Sequence, residues 1–149
     1  MSARSSHLAF VDTKILLYAH DRRAGKKQAA AAQLLAGLWE TRTGILSPQV
    51  LQEFLVNAIR KLKAPLALPQ ARDVVRTYGV WITRDTGVAD LLRATELMEL
   101  TAFSFWDSLI IASAEAAGAV VLYSEDLQDG QQVAGLVIRN PLLGTSVAK

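Results

Sequence analysis

The apolar positions of this chain fall in short blocks that alternate between two periodicities. Leu8-Ala9-Phe10-Val11 is an apolar run that stops at Asp12. Thr13 to Ala19 follow with Ile15, Leu16 and Leu17 spaced to face inward, so the pattern predicts a strand running directly into a helix. Lys26 to Glu40, rich in Ala, Gln and Leu, predicts a long helix, and Gly44-Ile45-Leu46 a short buried strand. Ser47-Pro48 then opens a further helix, serine suiting the N-cap and proline the first helical position. Leu51, Phe54, Leu55, Ala58, Ile59 and Leu62 continue it at helical spacing. Ala64-Pro65 interrupts, Pro69 starts a helix through about Thr77, and Val80-Trp81-Ile82 reads as a small strand. Asp90 to Leu100 and Phe105 to Ala117 are helical, with Gly118 placed for a left-handed C-terminal cap.

Val120-Val121-Leu122-Tyr123 is the clearest strand, and its unbroken apolar character suits a strand covered on both faces of a parallel sheet. Val137-Ile138-Arg139 is the last, closed by Asn140-Pro141, with a mobile tail expected beyond. Strands alternating with helices in this way predict an α/β fold, a three-layer α/β/α sandwich with a mainly parallel central sheet. No repeat or linker divides the chain, so one domain is expected over residues 1–149, long enough to bury a core of its own.

Composition narrows the chemistry. Hydrophobic residues make up 51% and charged residues 20% of the sequence, which argues against extensive disorder. Cysteine is absent, excluding disulfides, thiolate zinc sites and a cysteine nucleophile, and only His7 and His20 carry imidazole. No apolar run approaches the roughly 20 residues of a membrane span. The polar start Met1 to His7 lacks a signal peptide's apolar core, so a cytoplasmic protein with no membrane partner is expected. The net charge of +2 is small, but the basic residues gather into two groups, Arg22, Arg23, Lys26 and Lys27, and Arg60, Lys61 and Lys63. Such groups are solvated faces unless a nuclease site accompanies them.

Four acids stand where a site would form. Ligands of open parallel sheets collect at the carboxyl ends of strands. Asp12 ends the first strand, and Asp126 follows the Val120 to Tyr123 strand in the turn Ser124-Glu125-Asp126. Glu53 and Asp107 lie early in helices that otherwise read as buried. Singly, each has an ordinary role open to it: Asp12 as a helix N-cap, Asp107 as the acid of a capping box with Ser104, Glu53 facing solvent, Asp126 bonding its own turn. Together they occupy positions from which side chains converge, which points to a shared cation. Carboxylates without histidine or cysteine make a hard, all-oxygen environment suited to Mg²⁺ or Mn²⁺. Such an ion serves phosphate chemistry by polarising a phosphoryl oxygen, activating water and stabilising the leaving oxygen.

The order and context of these acids resemble the PIN-domain ribonucleases, especially the VapC-type toxins of bacterial toxin–antitoxin pairs, over nearly the whole chain. Phe10-Val11-Asp12-Thr13 is similar to the family's opening strand and first acid, and Ser47-Pro48-Gln49-Val50-Leu51-Gln52-Glu53-Phe54 to the helix bearing its second. Trp106-Asp107-Ser108-Leu109-Ile110-Ile111-Ala112 matches the Ala-rich helix opened by the third, and Leu122-Tyr123-Ser124-Glu125-Asp126 the strand and Ser/Thr-x-Asp turn of the fourth. The resemblance implies Asp12, Glu53, Asp107 and Asp126 as catalytic acids, with Asp12, Asp107 and Asp126 on the metal and Glu53 and Asp129 available to an outer shell. It also implies endonucleolytic RNA cleavage by metal-activated water, a homodimer, and a cognate antitoxin protein covering the active-site groove. Leu34, Leu38, Trp39 and Leu62 are candidates for that protein surface.

Lys14 departs from the family, which usually has asparagine two residues after the first aspartate. Asn57, one turn after Glu53, is a candidate support for it, and Ser124 either bonds a metal-held water or shapes its turn. Other classes fit less well. A haloacid-dehalogenase-like phosphatase wants a second aspartate where Lys14 stands. A receiver domain wants an acidic pair near the start and a late lysine after a strand, whereas the first strand here ends in one acid and the last in Arg139. A PIN-like scaffold that binds without catalysis is the third alternative.

Overall fold

A computed structural model describes residues 7–145. Strand β1 (Ala9–Val11) leads into helices α1 (Thr13–Ala19) and α2 (Lys26–Thr41). Strand β2 (Gly44–Ile45) leads into α3 (Pro48–Arg60) and α4 (Leu68–Tyr78). Helices α5 (Val88–Leu100) and α6 (Phe105–Ala116) precede β3 (Val121–Tyr123), β4 (Gln132–Val133) and β5 (Leu136–Arg139). The strands form one sheet in the order β2-β1-β3-β5-β4, parallel except for β4 against β5. Helices flank this sheet, giving the expected α/β architecture.

Register explains the core. Phe10 pairs with Ile45 on one side and Leu122 on the other, and Leu122 pairs with Ile138, so one buried apolar row crosses four strands. Removing side chains of this size from water stabilises the fold by about 1.5–3 kcal/mol each. Strand β1 is buried along its whole length, whereas in β3 only Leu122 is fully buried and its neighbours Val121 and Tyr123 are half-covered. The strand covered on both faces is therefore β1 rather than β3.

Several local expectations are met by their own chemistry. Gly118 has φ +83°, and the Ala119 N–H returns to the Ala114 carbonyl, ending α6 in a left-handed turn. Pro48 takes the first position of α3, but the Ser47 hydroxyl makes no capping bond and is buried without a partner. Gly44 is required for packing, because a Cβ there would lie 2.6 Å from the Trp81 ring.

Two elements differ from the pattern. The expected strand at Val80-Trp81-Ile82 is a short 3-10 helix, Gly79–Trp81, with Ile82 touching the sheet only through one bridge to Leu46. A three-residue apolar run carries no periodicity, and here Trp81 is drawn into an aromatic cluster with Tyr78 and Trp39. Strand β4 was not expected; it forms because Ala134 and Gly135, both at positive φ, close a two-residue hairpin onto β5. Past Pro141 the chain turns rather than trails, with Leu142 buried, while residues 146–149 lie outside the described residues. Among the described residues no single helix is long and apolar enough to cross a membrane.

Candidate active site

The chain leaves β1 toward β2 on one side and returns with β3 on the other, so a crevice opens between the carboxyl ends of β1 and β3. Asp12 extends the ladder there, its N–H donating to the Tyr123 carbonyl at 2.9 Å. It is also the N-cap of α1: one carboxylate oxygen accepts from the Thr13 N–H at 2.7 Å and the other from the Ser124 hydroxyl at 2.8 Å. The capping role and the site position thus belong to one side chain. Ser124 shapes the crevice twice over, since its oxygen also accepts from the Asp126 N–H.

Glu53, in the second turn of α3, accepts from the Thr13 hydroxyl at 2.5 Å and from the Gln49 amide at 3.1 Å. The same amide donates to the Trp106 carbonyl at 3.3 Å, tying α3 to the first turn of α6. Asp107 sits in that turn, its N–H donating to the Ser104 hydroxyl as a capping serine requires. Asp126 accepts from the Lys14 ammonium at 2.8 Å. All four acids line one cavity of about 730 Å³. Asp129 does not; its carboxylate accepts from the Asn140 N–H at 2.8 Å. Asn57 bonds the Glu53 backbone carbonyl rather than its carboxylate.

The electrostatics are those of crowded acids. The Asp12 carboxyl is pushed up to about 6, first by burial and further by the charges of Asp126 and Glu53, against the pull of its two hydrogen bonds. The Asp107 carboxyl is raised by burial, and by Asp126 and Glu53, with Ser104 offsetting part of the shift. Cations stand on the rim. Lys61 and Lys63 line the cavity, as does Lys27, which pairs with Glu125 at 2.7 Å. Buried Asp21 gathers these groups: it accepts from the Arg23, Lys63 and Ala64 N–H groups, pinning the α1–α2 loop to the segment after α3.

The donor set suits a hard divalent ion in kind: oxygen only, mutually repelling, in one cavity whose described lining holds neither histidine nor cysteine. Among the described residues no three acids or histidines stand close enough to share an ion as the side chains lie. Asp126 is turned onto Lys14, and Glu53 is held by Thr13 and Gln49. Asp12, Asp107 and Asp126 are the carboxylates that could hold an ion, once Asp126 parts from Lys14.

Thr13 and Gln49 escaped the sequence reading. Gln49 carries a usable signal, since it precedes Glu53 by four residues and so shares its helical face. Thr13 reaches α3 only through the tertiary fold. The apolar stripe considered as a protein surface is largely packed: Leu38 is buried, Trp39 leans on Tyr78 and Trp81, and Leu34 and Leu62 pack against the core.

The profile of the PIN domain matches residues 9–134, a span that contains all four carboxylates and every strand but β5. No curated protein matches the chain. With its five-stranded, mostly parallel sheet and acids at the carboxyl ends of β1 and β3, the chain belongs to the PIN-domain family.

Proposed function

We propose that this protein is a Mg²⁺- or Mn²⁺-dependent endoribonuclease, the toxin of a toxin–antitoxin pair. In this reading it acts in the cytoplasm as a homodimer and is silenced by a cognate antitoxin protein covering the cavity. The observation that carries the catalytic part is the gathering of Asp12, Glu53, Asp107 and Asp126, from four separate stretches of chain, onto one cavity. PIN domains are generally nucleases, which supports the same reading.

In the mechanism, Asp12 is held at both carboxylate oxygens by Thr13 and Ser124, and Glu53 at both by Thr13 and Gln49, so neither is free to swing when RNA enters. Lys61 and Lys63 attract the phosphate backbone toward acids that would otherwise repel it. With no imidazole or thiol in the described lining, the proton lost by the attacking water passes to a carboxylate or to solvent. A bound divalent ion supplies positive charge against the phosphodiester and acidifies the attacking water. The test is total cellular RNA incubated with the purified protein and Mn²⁺. Discrete fragments should appear and vanish with excess EDTA, whereas cleavage that persists in EDTA, or none with Mn²⁺, overturns the reading.

One observation favours a second reading, a scaffold that binds without cutting: Lys14 places an ammonium on Asp126, where a cation would otherwise act. Both partners are half-exposed, so the pair is a weak competitor. Lys14→Asn is therefore expected to tighten Mn²⁺ binding by up to about fivefold in calorimetry. Mn²⁺ binding that appears only in the variant favours the scaffold, and unchanged affinity shows that the lysine does not compete.

A further inference from the structure

We infer that Trp106 is a base-stacking platform for single-stranded RNA at the mouth of the cavity. The inference rests on the nuclease reading and adds to it a side chain of this protein that would hold the substrate's bases. Of the three tryptophans, Trp39 and Trp81 belong to the aromatic cluster around Tyr78, with ring centroids 4.8–5.4 Å apart. Trp106 is different: it is 61% exposed although its residue lines the same cavity as the four acids.

An indole left in water beside a polar cavity adds little to the core, yet its position is well held. Its backbone carbonyl accepts from the Gln49 amide that also bonds Glu53, and Asp107 follows it directly in the first turn of α6. Phe105 meets the indole edge to face at 5.1 Å. The platform is thus anchored to the hydrogen bonds that position the carboxylates. Other exposed apolar side chains, such as Val88, Leu92 and Leu100 on α5, do not line the cavity.

The surroundings select the occupant. Lys61 and Lys63 on the same cavity favour a polyanion, and an exposed π face beside them favours a base. Every base can stack, but only one released from a duplex offers its face to a side chain, so single strands and loops are favoured over double helix. Stacking of this kind holds RNA without reading its sequence.

The experiment is anisotropy titration of a labelled single-stranded oligoadenylate, its abasic counterpart and a duplex of equal length, in EDTA so that no cleavage intervenes. Wild type should bind oligoadenylate more tightly than duplex. Trp106→Ala should weaken oligoadenylate binding by about 5- to 150-fold while leaving the abasic oligomer unaffected, and Trp106→Phe should retain most of the affinity. Trp106→Leu, bulky but without a π face, should behave as the alanine variant does, which keeps the test decisive if alanine unfolds the protein. Equal oligoadenylate binding by wild type and the leucine variant overturns the inference, as does an equal loss on the abasic oligomer. A leucine variant that loses only self-association in sedimentation also overturns it, and marks the indole as a protein interface. If wild type cleaves RNA with Mn²⁺ while Trp106 proves silent, the inference alone fails; if wild type neither binds nor cleaves RNA, the nuclease reading fails with it.

Discussion

Asp12→Asn and Asp107→Asn are each expected to lower RNA cleavage by about three orders of magnitude, the several kcal/mol that loss of a metal-holding carboxylate removes from transition-state stabilisation. Both changes keep size and shape, and the Asp107 N–H that donates to the Ser104 hydroxyl is untouched, so α6 should keep its cap. Glu53→Gln should cost less, about 10- to 100-fold, because Glu53 is already engaged at both oxygens and acts by orienting its neighbours. Initial rates on a fluorescent oligoribonucleotide, beside circular dichroism of each variant, check this order. Full activity in Asp12→Asn would remove that carboxylate from the chemistry, and a Glu53 variant weaker than the other two would invert the assignment of roles.

The second large effect is on stability, and it has the opposite sign. In the folded protein Asp12 holds its proton up to about pH 6, against an ordinary value of 3.8. The folded state therefore binds more protons than the unfolded state between those values. The stability linked to this group is complete below about pH 3.8 and is lost as pH rises through 6, a loss of about 3 kcal/mol at neutral pH. Asn at position 12 keeps an oxygen for the Thr13 N–H and carries no charge to bury. Asp12→Asn should therefore raise the melting temperature in EDTA at pH 7.5 by up to about 10 °C, with the gap closing by pH 4. Saturating Mn²⁺ should narrow the gap by stabilising only the wild type. Scanning calorimetry across that pH range is the measurement; a gap independent of pH would show that a buried charge is not its source. The residue whose loss is expected to abolish cleavage is thus one whose loss is expected to steady the empty fold, as where function opposes stability.

Much of this was legible in sequence because it is local. The apolar run ending at Asp12, the Ser-Pro start of α3 and the glycine after α6 each state their conformation within a few residues. The four acids were legible because each sits at a strand end or helix start. What was hidden depends on side-chain direction or on unusual turn chemistry. Ala134-Gly135 closes a hairpin without the asparagine or aspartate that usually announces one. Spacing cannot tell that Asp126 points into the cavity while Asp129 bonds Asn140. A counter-charge from the long stem of Lys14 is what converging acids call for, but that it meets Asp126, 112 positions along the chain, is set by the fold. The Thr13 and Gln49 contacts to Glu53 likewise exist only once α1 and α3 are packed.

The buried carboxylate of Asp21 has a consequence for how RNA would be met. The groups Arg22 to Lys27 and Arg60 to Lys63 lie far apart in sequence, at the start of α2 and the end of α3, and left independent each would have to be brought into place when RNA arrived. Asp21 accepts backbone N–H groups from both neighbourhoods, so that ordering is completed when the protein folds. Lys27 from the first group and Lys61 and Lys63 from the second then stand on one preorganised rim whose entropy cost falls on folding rather than on binding. Any attraction of RNA to this rim would depend in this way on a buried anion of the same cavity wall, spent on backbone N–H groups.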